Sequence, residues 1–225
     1  MLEYMTTRLP LSPTPRSTVR RSANRAEADR AALDAVLDTG LVCHLAVVVD
    51  GAPRVIPTGY ARDGDTLYVH GSTGAASLRA GDGLDVCVAV TMLDGIVYAR
   101  SVFHFSVNYR SAIVHGKAVA VTGDEAKLRA LRVLTEHLAP GSWDYTRAPN
   151  KKELAQTAVL AIDLTEASVK VRTGGPIDEP EDVLAHTGWA GVLPLRQVWD
   201  APVAAHDLPA PVPAPDRITH RPAPC

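Results

Sequence analysis

The feature that most constrains this fold is a series of β-rich segments joined by very short turns. Leu41 to Val49 and Pro53 to Ala61 flank the dipeptide Asp50-Gly51, and Asp-Gly between two such segments is a strong hairpin signal. Strands joined by so few residues have to pair antiparallel. The chain is therefore predicted to build an antiparallel meander and to lack the alternating strands and helices of a doubly wound nucleotide-binding fold.

Further strands extend this meander towards the C-terminus. They are predicted at Thr66 to His70, Leu84 to Leu93, Tyr109 to Thr122, Thr157 to Leu164 and Ser168 to Arg172. Asp94-Gly95 is interpreted as a turn, and Gly116 as a break in the longest strand. With six or seven strands, the meander is predicted to close, or nearly close, into a barrel, which is a mainly β (α+β) architecture.

Helical segments are predicted at the periphery of this barrel. The first is Asn24 to Asp38, with Asn24 as its N-cap and Gly40 just beyond its end. Another is Asp124 to Leu138, where leucines recur at helical spacing. Asn150 is predicted to cap a short helical turn. These helices are expected to cover the mouth or the side of the barrel.

Charge and composition exclude several classes of protein. The 225 residues carry 23 Lys and Arg against 25 Asp and Glu, so the chain lacks the basic field of a dedicated nucleic-acid binder. Its longest apolar run, around Leu41 to Val49, is far shorter than the ~20 residues of a membrane span. Three cysteines cannot form a disulfide framework or a four-thiolate zinc site, and no signal peptide is evident. We therefore expect a soluble cytoplasmic protein with neither a membrane nor a nucleic acid as partner.

Both termini are predicted to be tails outside the barrel. Residues 1–22 are rich in proline, serine, threonine and arginine, and we expect a flexible basic arm there. Residues 1–30 hold six arginines against three carboxylates, a surplus of three positive charges. Such an arm either contacts nucleic acid or, as we favour, packs over an acidic face of its own oligomer or stays solvated. Residues 200–225 contain seven of the 17 prolines and are predicted to be a polyproline-like tail, which leaves 23–199 as the barrel domain.

A candidate phosphate site lies where the predicted strand ending at His70 meets Gly71-Ser72-Thr73-Gly74. These four residues are predicted to open a short helix that runs to Ala80, and backbone N–H groups at a helix start suit a phosphate. Arg79 would add positive charge. The alternative interpretation is an ordinary helix cap, since Ser and Thr are common there.

Residues on the neighbouring strands could contact a flat ligand. Pro57 interrupts the hydrogen-bond ladder of a strand, Gly59 permits close approach to the backbone, and Tyr60 could stack. His70 could hydrogen-bond a ring-shaped ligand or shuttle a proton near neutral pH. A barrel corner and a hydrogen-bonded rim histidine would use the same residues, so both interpretations stay open at this point.

A second polar cluster leads into the longest strand and includes Tyr109, Arg110 and Ser111. Arg110 lies among apolar residues and needs an anion, either a carboxylate of the protein or a ligand phosphate. Lys170 and Arg172 alternate along a late strand and share one face, as a small basic patch or as a solvated surface.

Motifs of several common chemistries are missing from the sequence. It contains no GxSxG elbow, no HExxH, no CxxC and no GxxxxGK[ST] loop. The eight histidines are scattered, so no metal site is expected. Cys43 and Cys87 lie within apolar strands and are interpreted as core residues.

Four motifs in a fixed order resemble those of a known family: VIPTGYARDGDTLYVHGST at 55–73, NYRSAIVHGKA at 108–118, SVKVRTGGPIDE at 168–179 and WAGVLPL at 189–195. Together they are similar to the pyridoxamine 5'-phosphate oxidase-like FMN-binding split-barrel proteins, in particular to the branch of the nitroimidazole-resistance reductases. The similarity extends from about Arg25 to Leu195. It implies an antiparallel split β-barrel that works as a homodimer and binds FMN in two sites at the dimer interface.

The resemblance also implies which positions bind the cofactor. They are Pro57, Thr58, Gly59, Tyr60, His70, Gly71, Ser72, Thr73, Ser77, Arg79, Tyr109, Arg110, Ser111 and Trp189. Pro57 to Gly59 would lie along the isoalloxazine edge, and Gly71 to Thr73 would meet the phosphate. His70 would be the catalytic residue close to the ring, donating a proton or orienting the substrate. Relatives carry Lys or Arg at the helix start where this chain has Ala75 and Ala76, and loss of one charged hydrogen bond lowers phosphate affinity about tenfold to a hundredfold.

The resulting functional prediction is an FMN-dependent oxidoreductase that acts on a small organic substrate. Pyridoxamine phosphate is not the predicted substrate, because the C-terminal arginine motif of the true vitamin oxidases is not evident. One alternative is the same barrel with F420 or haem as cofactor, the haem requiring a histidine as axial ligand. The other alternative is a non-catalytic dimeric flavin-binding sensor or carrier whose tails bind a partner.

Overall fold

The computed structural model describes residues 10–75, 78, 81–185, 188–208 and 212–223. In this part of the chain the strands are β1 (Ala26–Glu27), β2 (Val42–Val49), β3 (Ala52–Asp63), β4 (Thr66–Ser72), β5 (Asp85–Tyr98), β6 (Ser106–Ala120), β7 (Thr157–Asp163), β8 (Ala167–Arg172) and β9 (Gly191–Pro194). The helices with described bounds are α1 (Arg30–Thr39), α2 (Asp124–Leu138), α3 (Lys151–Gln156), α4 (Pro180–Ala185) and α5 (Asp216–Thr219). Short 3-10 turns lie at Ala23–Arg25 and Val102–His104.

The described strands form one antiparallel sheet in the order β1-β8-β6-β7-β4-β3-β2-β5-β9. Because β6 also pairs with β5, strands β2 to β7 close on themselves, and β8 pairs with β6 outside this ring. β3 is shared between two parts of the sheet: it pairs with β2 up to Gly59 and with β4 from Tyr60 onward. These pairings confirm the predicted mainly antiparallel split β-barrel, to which the short strands β1 and β9 add the edges.

Two Asp-Gly dipeptides in this sheet have different structures. Asp50-Gly51 forms the predicted tight hairpin turn, with positive φ angles of 52° and 76°. The turn predicted at Asp94-Gly95 is wrong, because β5 continues through it with a bulge between Leu93 and Gly95. Gly95 is paired on both sides, and a Cβ atom there would lie 2.8 Å from the carbonyl oxygen of Leu193. Pairing with β6 and β9 therefore holds the chain extended where the dipeptide alone indicates a reversal.

The break predicted at Gly116 is also wrong. β6 passes through Gly116, which pairs with Val86 of β5, and the strand then pairs with β7 from Ala118 onward. A Cβ atom at Gly116 would lie 2.9 Å from Cγ2 of Ile162 on β7. Glycine is therefore required for the close approach of β7 at the point where β6 changes partner.

The helices follow their local signals with one exception. α2 has the predicted bounds, and the side chain of Asn150 accepts a hydrogen bond from the N–H of Glu153 at the start of α3. The start predicted for the first helix at Asn24 is wrong, because α1 begins at Arg30 with Asp29 as its N-cap. β1 lies between the two positions and pairs with β8, which keeps the chain extended until that cap.

The core lies inside the barrel, against the apolar face of α1. Leu33 and Leu37 of α1 are fully buried in it. Cys43 is buried there as predicted, and desolvation raises the pKa of its thiol to about 12. Cys87 is only half-buried, and burial likewise raises the pKa of its thiol. Both thiols are therefore protonated near neutral pH and make poor nucleophiles.

Described residues near both termini lie against the barrel and its helices. Leu11 is buried, and Arg16 forms an ion pair with Glu166 at 2.6 Å. Towards the other terminus, the guanidinium of Arg217 lies 3.8 Å from the ring centroid of Tyr145. The domain boundaries at residues 23 and 200 stay predictions. No helix within the described ranges is both long and apolar enough to cross a membrane.

Candidate functional site

Outward-facing residues where β3 meets β4 form the first part of the candidate site. Val69 of β4 is fully buried, and because side chains alternate along a strand, His70 faces outward. Pro57, Gly59, His70 and Ser72 together make up what we call the β3–β4 surface. A Cβ atom at Gly59 would meet no atom within 4 Å. The surface is therefore open enough for a flat ligand to lie against the backbone.

His70 is the residue of this surface with acid–base capacity. Desolvation lowers its pKa below the ordinary 6.5 of histidine, so the imidazole is neutral near pH 7. In the described part of the chain its ring makes no hydrogen bond, and its carbonyl oxygen lies 3.5 Å from Oγ1 of Thr58. A neutral ring donates a hydrogen bond from one nitrogen and accepts one at the other, and it becomes a proton donor once protonated. The position thus suits the proton transfer or ligand contact predicted for His70.

Two predicted cofactor residues of β3 face the barrel interior. Thr58 pairs with the buried Cys43 and is itself half-buried. Tyr60 is only 1% exposed, and its hydroxyl donates a 2.8 Å hydrogen bond to the carbonyl oxygen of Leu37. Burial raises the pKa of this phenol well above its usual range. Tyr60 therefore ties α1 to the barrel and cannot stack on a cofactor, which corrects the role predicted for it.

The turn after β4 differs from the predicted phosphate site. β4 continues to Ser72, so Gly71 and Ser72 pair with β7 instead of opening a helix. The N–H of Thr73 donates to a carbonyl at the end of α3 at 2.9 Å. The N–H groups of Gly74 and Ala75 both donate to Ser72, at 3.1 and 2.9 Å. The turn therefore offers side-chain hydroxyls to an anion, while the backbone donors predicted to be free are used within the chain.

Arg110 binds a carboxylate of its own chain. Its Nε lies 3.0 Å from Oδ2 of Asp94 and its Nη2 lies 2.8 Å from Oδ1, which makes a bidentate pair beside the bulge of β5. Of the two anions considered for Arg110 in the sequence, the protein carboxylate is therefore the one it contacts.

Tyr109 and Ser111 alternate with Arg110 along β6 and face the other way. Tyr109 pairs with Arg172 of β8 and Ser111 pairs with Lys170, and directly paired residues share a face. Both residues lie on the stretch of β6 that pairs with β5 and β8, whereas β6 reaches β7, the neighbour of β4, only from Ala118 to Ala120. Within one chain, the structure therefore separates Tyr109 and Ser111 from the β3–β4 surface.

The remaining predicted site residues lie neither on the β3–β4 surface nor with the residues of β6. Trp189 is 70% exposed, and its ring centroid lies 5.8 Å from that of Tyr98 on β5. It precedes β9, which pairs with the end of β5, so it lies beside β5 and not beside β4. Ser77 and Arg79 lie outside the described residues.

A cavity of about 490 Å³ opens between the barrel mouth and the segment 195–198. Its lining includes Thr39, Met92 and the paired residues Asp94 and Arg110. Sequence analysis missed this cavity, because the segment over it has no periodic pattern that would place it on the barrel.

A second cavity, of about 590 Å³, collects basic side chains that sequence analysis kept apart. Arg21 and Arg25 precede β1, while Lys170 and Arg172 lie on β8, and all four line what we call the basic cavity. The pairing of β1 with β8 brings the two segments together. The signals present in the sequence were the arginine surplus near the N-terminus and the alternating cations of β8.

Comparison with known proteins identifies the family. Residues 29–171 match the family model of pyridoxamine 5'-phosphate oxidase. The flavocytochrome Anf3 from Azotobacter vinelandii is 36% identical with a TM-score of 0.89, over 94% of this chain and 98% of that one. The FAD and haem binding protein from Mycobacterium smegmatis is 40% identical with a TM-score of 0.84, over 88% of this chain and 98% of that one.

A third solved structure supports the fold alone. A candidate 5-nitroimidazole antibiotic resistance protein from Bacteroides thetaiotaomicron is 19% identical with a TM-score of 0.54, over 65% of this chain and 86% of that one. No curated protein sequence gives a significant match. The family model covers more than half of the chain and includes in full two of the four motifs that carry the resemblance. The chain therefore belongs to the pyridoxamine 5'-phosphate oxidase-like family.

Proposed function

We propose that this protein is a flavin-dependent oxidoreductase that acts on a small organic substrate, with the flavin ring against the β3–β4 surface. The observation that carries the proposal is the uncovered backbone at Gly59 beside the neutral imidazole of His70. The two relatives of 36% and 40% identity support it, since one is a flavocytochrome and the other a FAD and haem binding protein.

The β3–β4 surface has the chemistry that a flavin ring needs. Gly59 leaves room for a flat ring, the exposed Pro57 presents a rigid apolar edge, and Ser72 contributes a hydroxyl. A bound flavin supplies hydride and single-electron chemistry that amino-acid side chains lack. The residues of this chain would hold the ring, orient the substrate and manage the proton.

His70 would manage that proton in one of two ways. As a general acid it would donate a ring N–H proton to the substrate, and as an orienting group it would hold the substrate by a hydrogen bond. The low pKa of His70 separates the two roles. Activity that needs the protonated ring falls as pH rises through this pKa, whereas orientation by the neutral ring persists above it.

We propose FAD as the flavin, in preference to the FMN implied by the resemblance. The relative from Mycobacterium smegmatis, named for FAD and haem, is 40% identical over 88% of this chain. The described residues of the turn after β4 include no cation, and their backbone donors are used within the chain. FMN would place its only phosphate at this turn if it bound as the resemblance implies, whereas FAD carries its phosphates on towards an adenosine.

Haem is a second cofactor that a specific observation favours. The relatives of 36% and 40% identity are both haem proteins by name, one as a flavocytochrome and one as a FAD and haem binding protein. Haem iron takes a neutral imidazole nitrogen as axial ligand. His44, His70 and His206 are exposed, and within the described residues none of these rings makes a hydrogen bond, so these three are the candidate ligands.

We also propose that the protein works as a homodimer. Val42, Val48 and Val55 share the outer face of β2 and β3 and are 53%, 57% and 62% exposed, and an apolar patch on a sheet face marks a contact surface. A second copy is the favoured partner, because a twofold axis could bring Tyr109 and Ser111 towards the β3–β4 surface. Analytical ultracentrifugation is expected to give about twice the chain mass of 23.9 kDa, and a monomer would contradict this.

The flavin proposal is tested by titrating FAD and FMN into cofactor-free protein while flavin fluorescence is followed. Gly59→Val places a side chain in the uncovered patch and is expected to weaken flavin binding about tenfold or more. Gly188→Val is the matched control, since Gly188 is also open but lies in a loop away from β3 and β4. His70→Ala is expected to keep the flavin and to slow reoxidation of the reduced protein by a quinone such as menadione. Wild-type protein that binds neither flavin would contradict the proposal.

A further inference from the structure

The basic cavity concentrates positive charge without a compensating carboxylate. Its lining includes Arg21, Arg25, Lys170 and Arg172, and no Asp or Glu is among the described residues that line it. Within the described ranges, none of the four basic side chains forms an ion pair. Four cations around one cavity repel each other, so the arrangement favours an anion between them.

Two other arginines of the same N-terminal region pair with carboxylates. Arg16 lies 2.6 Å from Glu166, and Arg30 lies 3.6 Å from Asp65. Acidic partners are therefore within reach of this region. In the described part of the chain, the cations of the basic cavity form no ion pair with these carboxylates.

Arg172 gives the strongest sign of an external anion. It is only 6% exposed, and its guanidinium donates hydrogen bonds to Oδ1 of Asn108 and to the carbonyl oxygen of Gly175, which are neutral acceptors. Burial and the nearby charge of Arg25 lower its pKa. A guanidinium shielded from water beside another cation is unfavourable unless an anion compensates it.

Local geometry holds the other cations at the cavity wall. Ser22 has a left-handed backbone with a φ of 53°, which turns the chain into the 3-10 turn that ends at Arg25. Ala26 then pairs with Lys170, and Nζ of Lys170 donates to the carbonyl oxygen of Arg21 at 3.1 Å. That amine keeps further N–H donors for a ligand. The cations are thus positioned by backbone contacts that a bound anion would leave intact.

Aromatic side chains border the cations. Phe103 and Phe105 line the same cavity and are 86% and 48% exposed. His104 lies between them in the sequence, with Nε2 3.7 Å from a carboxylate oxygen of Glu179, which does not line the cavity. Exposed aromatic rings beside basic side chains suit a ligand that combines a flat base with phosphates.

We propose that the basic cavity binds the diphosphate of an adenine nucleotide, with the phosphates between Arg25, Lys170 and Arg172 and the base against Phe103. Guanidinium groups match phosphate oxygens in planar, bidentate geometry. The cavity volume of about 590 Å³ lies within the usual range for small-molecule sites. Two sources carry this group: the ADP half of a bound FAD and a free nicotinamide dinucleotide that donates electrons.

The test is a calorimetric titration of ADP into the full-length protein, as purified and again after removal of any cofactor. Arg25→Ala and Lys170→Ala are compared with Arg20→Ala, which removes the same charge from an exposed neighbour that does not line the cavity. Each cavity variant is expected to bind ADP about tenfold to a hundredfold more weakly than wild type, and the control is expected to match wild type.

The two sources of the nucleotide give different results. If the cavity holds the ADP half of FAD, wild type binds ADP only after cofactor removal, and the cavity variants lose affinity for FAD but not for FMN. If it holds a free dinucleotide, the protein as purified binds both ADP and NADPH, and the flavin content of the variants equals that of wild type. Either pattern supports the inference.

Unchanged ADP affinity in both cavity variants would overturn the inference, as would wild type that binds no ADP in either form. A change of oligomeric state in the variants without any ADP binding would assign the cavity to an acidic segment of a second copy, and would also overturn it. Thermal unfolding of each variant identifies a folding defect. If the protein binds ADP but neither FAD nor FMN, this inference is supported and the flavin proposal is contradicted. The two proposals can therefore be distinguished experimentally.

Discussion

Arg110 and Arg172 lie on neighbouring strands and are both largely shielded from water, but they meet different partners. Arg110 holds Asp94 through two short hydrogen bonds. Arg172 contacts neutral oxygens in the described part of the chain and lies near a second cation, Arg25. The first guanidinium fixes the bulge of β5, whereas the second retains its charge for a ligand. Proximity to a carboxylate thus separates arginines that serve the fold from arginines that can bind.

The largest effect on stability is expected where the paired arginine loses its carboxylate. Asp94→Asn keeps the shape of the side chain and removes the negative charge that faces Arg110. Because the two side chains are only 28% and 29% exposed, we expect a loss of about 2 kcal/mol in the free energy of unfolding. Urea unfolding followed by circular dichroism measures this loss.

The matched control for that variant is an exposed pair. Arg132 and Asp144 lie 3.0 Å apart, with side chains 55% and 76% exposed. Asp144→Asn is therefore expected to lower the free energy of unfolding by less than about 0.5 kcal/mol. Equal losses in the two variants would show that the Arg110–Asp94 pair does not stabilise the fold in the way inferred here.

A smaller loss is expected at the arginine without a carboxylate. Arg172→Met removes hydrogen bonds to Asn108 and Gly175, but it also removes a buried charge and its repulsion with Arg25. Because these contributions oppose each other, we expect a loss of about 1 kcal/mol in the free energy of unfolding. Added ADP is expected to stabilise cofactor-free wild type against urea and to leave cofactor-free Arg172→Met unchanged. A loss larger than that of Asp94→Asn would reverse the distinction between the two arginines.

The ion pair between Arg16 and Glu166 is expected to make the free energy of unfolding depend on pH in the acidic range. The hydrogen bonds from Arg16 lower the pKa of Glu166 from 4.5 to about 2. The contribution of the pair is therefore fully present above pH 4.5 and is lost as pH falls through 2. In urea unfolding, Glu166→Gln is expected to be less stable than wild type at pH 7 and to approach it at the acidic end. A difference that stays constant over this range would contradict the role given to the pair.

The smallest effect is expected at the turn after β4. Ser72→Ala removes the hydroxyl that accepts a hydrogen bond from the N–H of Gly74 at 3.1 Å. Flavin affinity is expected to fall about threefold or less, the value of one neutral hydrogen bond. Fluorescence titration measures it, and a loss of about tenfold or more would instead support the phosphate site predicted for this turn.

Local signals predicted much of this fold. The hairpin at Asp50-Gly51, the bounds of α2 and the cap of α3 depend on residues close in sequence. The bulge at Asp94-Gly95 and the continuous strand at Gly116 were not predicted, because β9 and β7 hold the backbone at these points. A strand that is paired on both sides overrides the turn tendency of its own dipeptide.

In the candidate site, too, local features follow from the sequence, whereas features that depend on contacts between distant strands do not. The interpretations of His70 stayed open in the sequence, although its outward orientation follows from alternation along a strand, which is a local property. Tyr60 was assigned to the cofactor from its own motif, although β3 changes partner there and turns its ring into the core. The basic cavity was not predicted, because Arg25 reaches Lys170 only through the pairing of β1 with β8.

The visible absorption spectrum of freshly purified protein, with the mass of any released cofactor, tests the flavin assignment most directly. Two flavin bands and a released molecule with the mass of FAD are the expected result, with an added Soret band if haem binds as well. A colourless protein that also fails to bind added FAD and FMN would contradict the assignment.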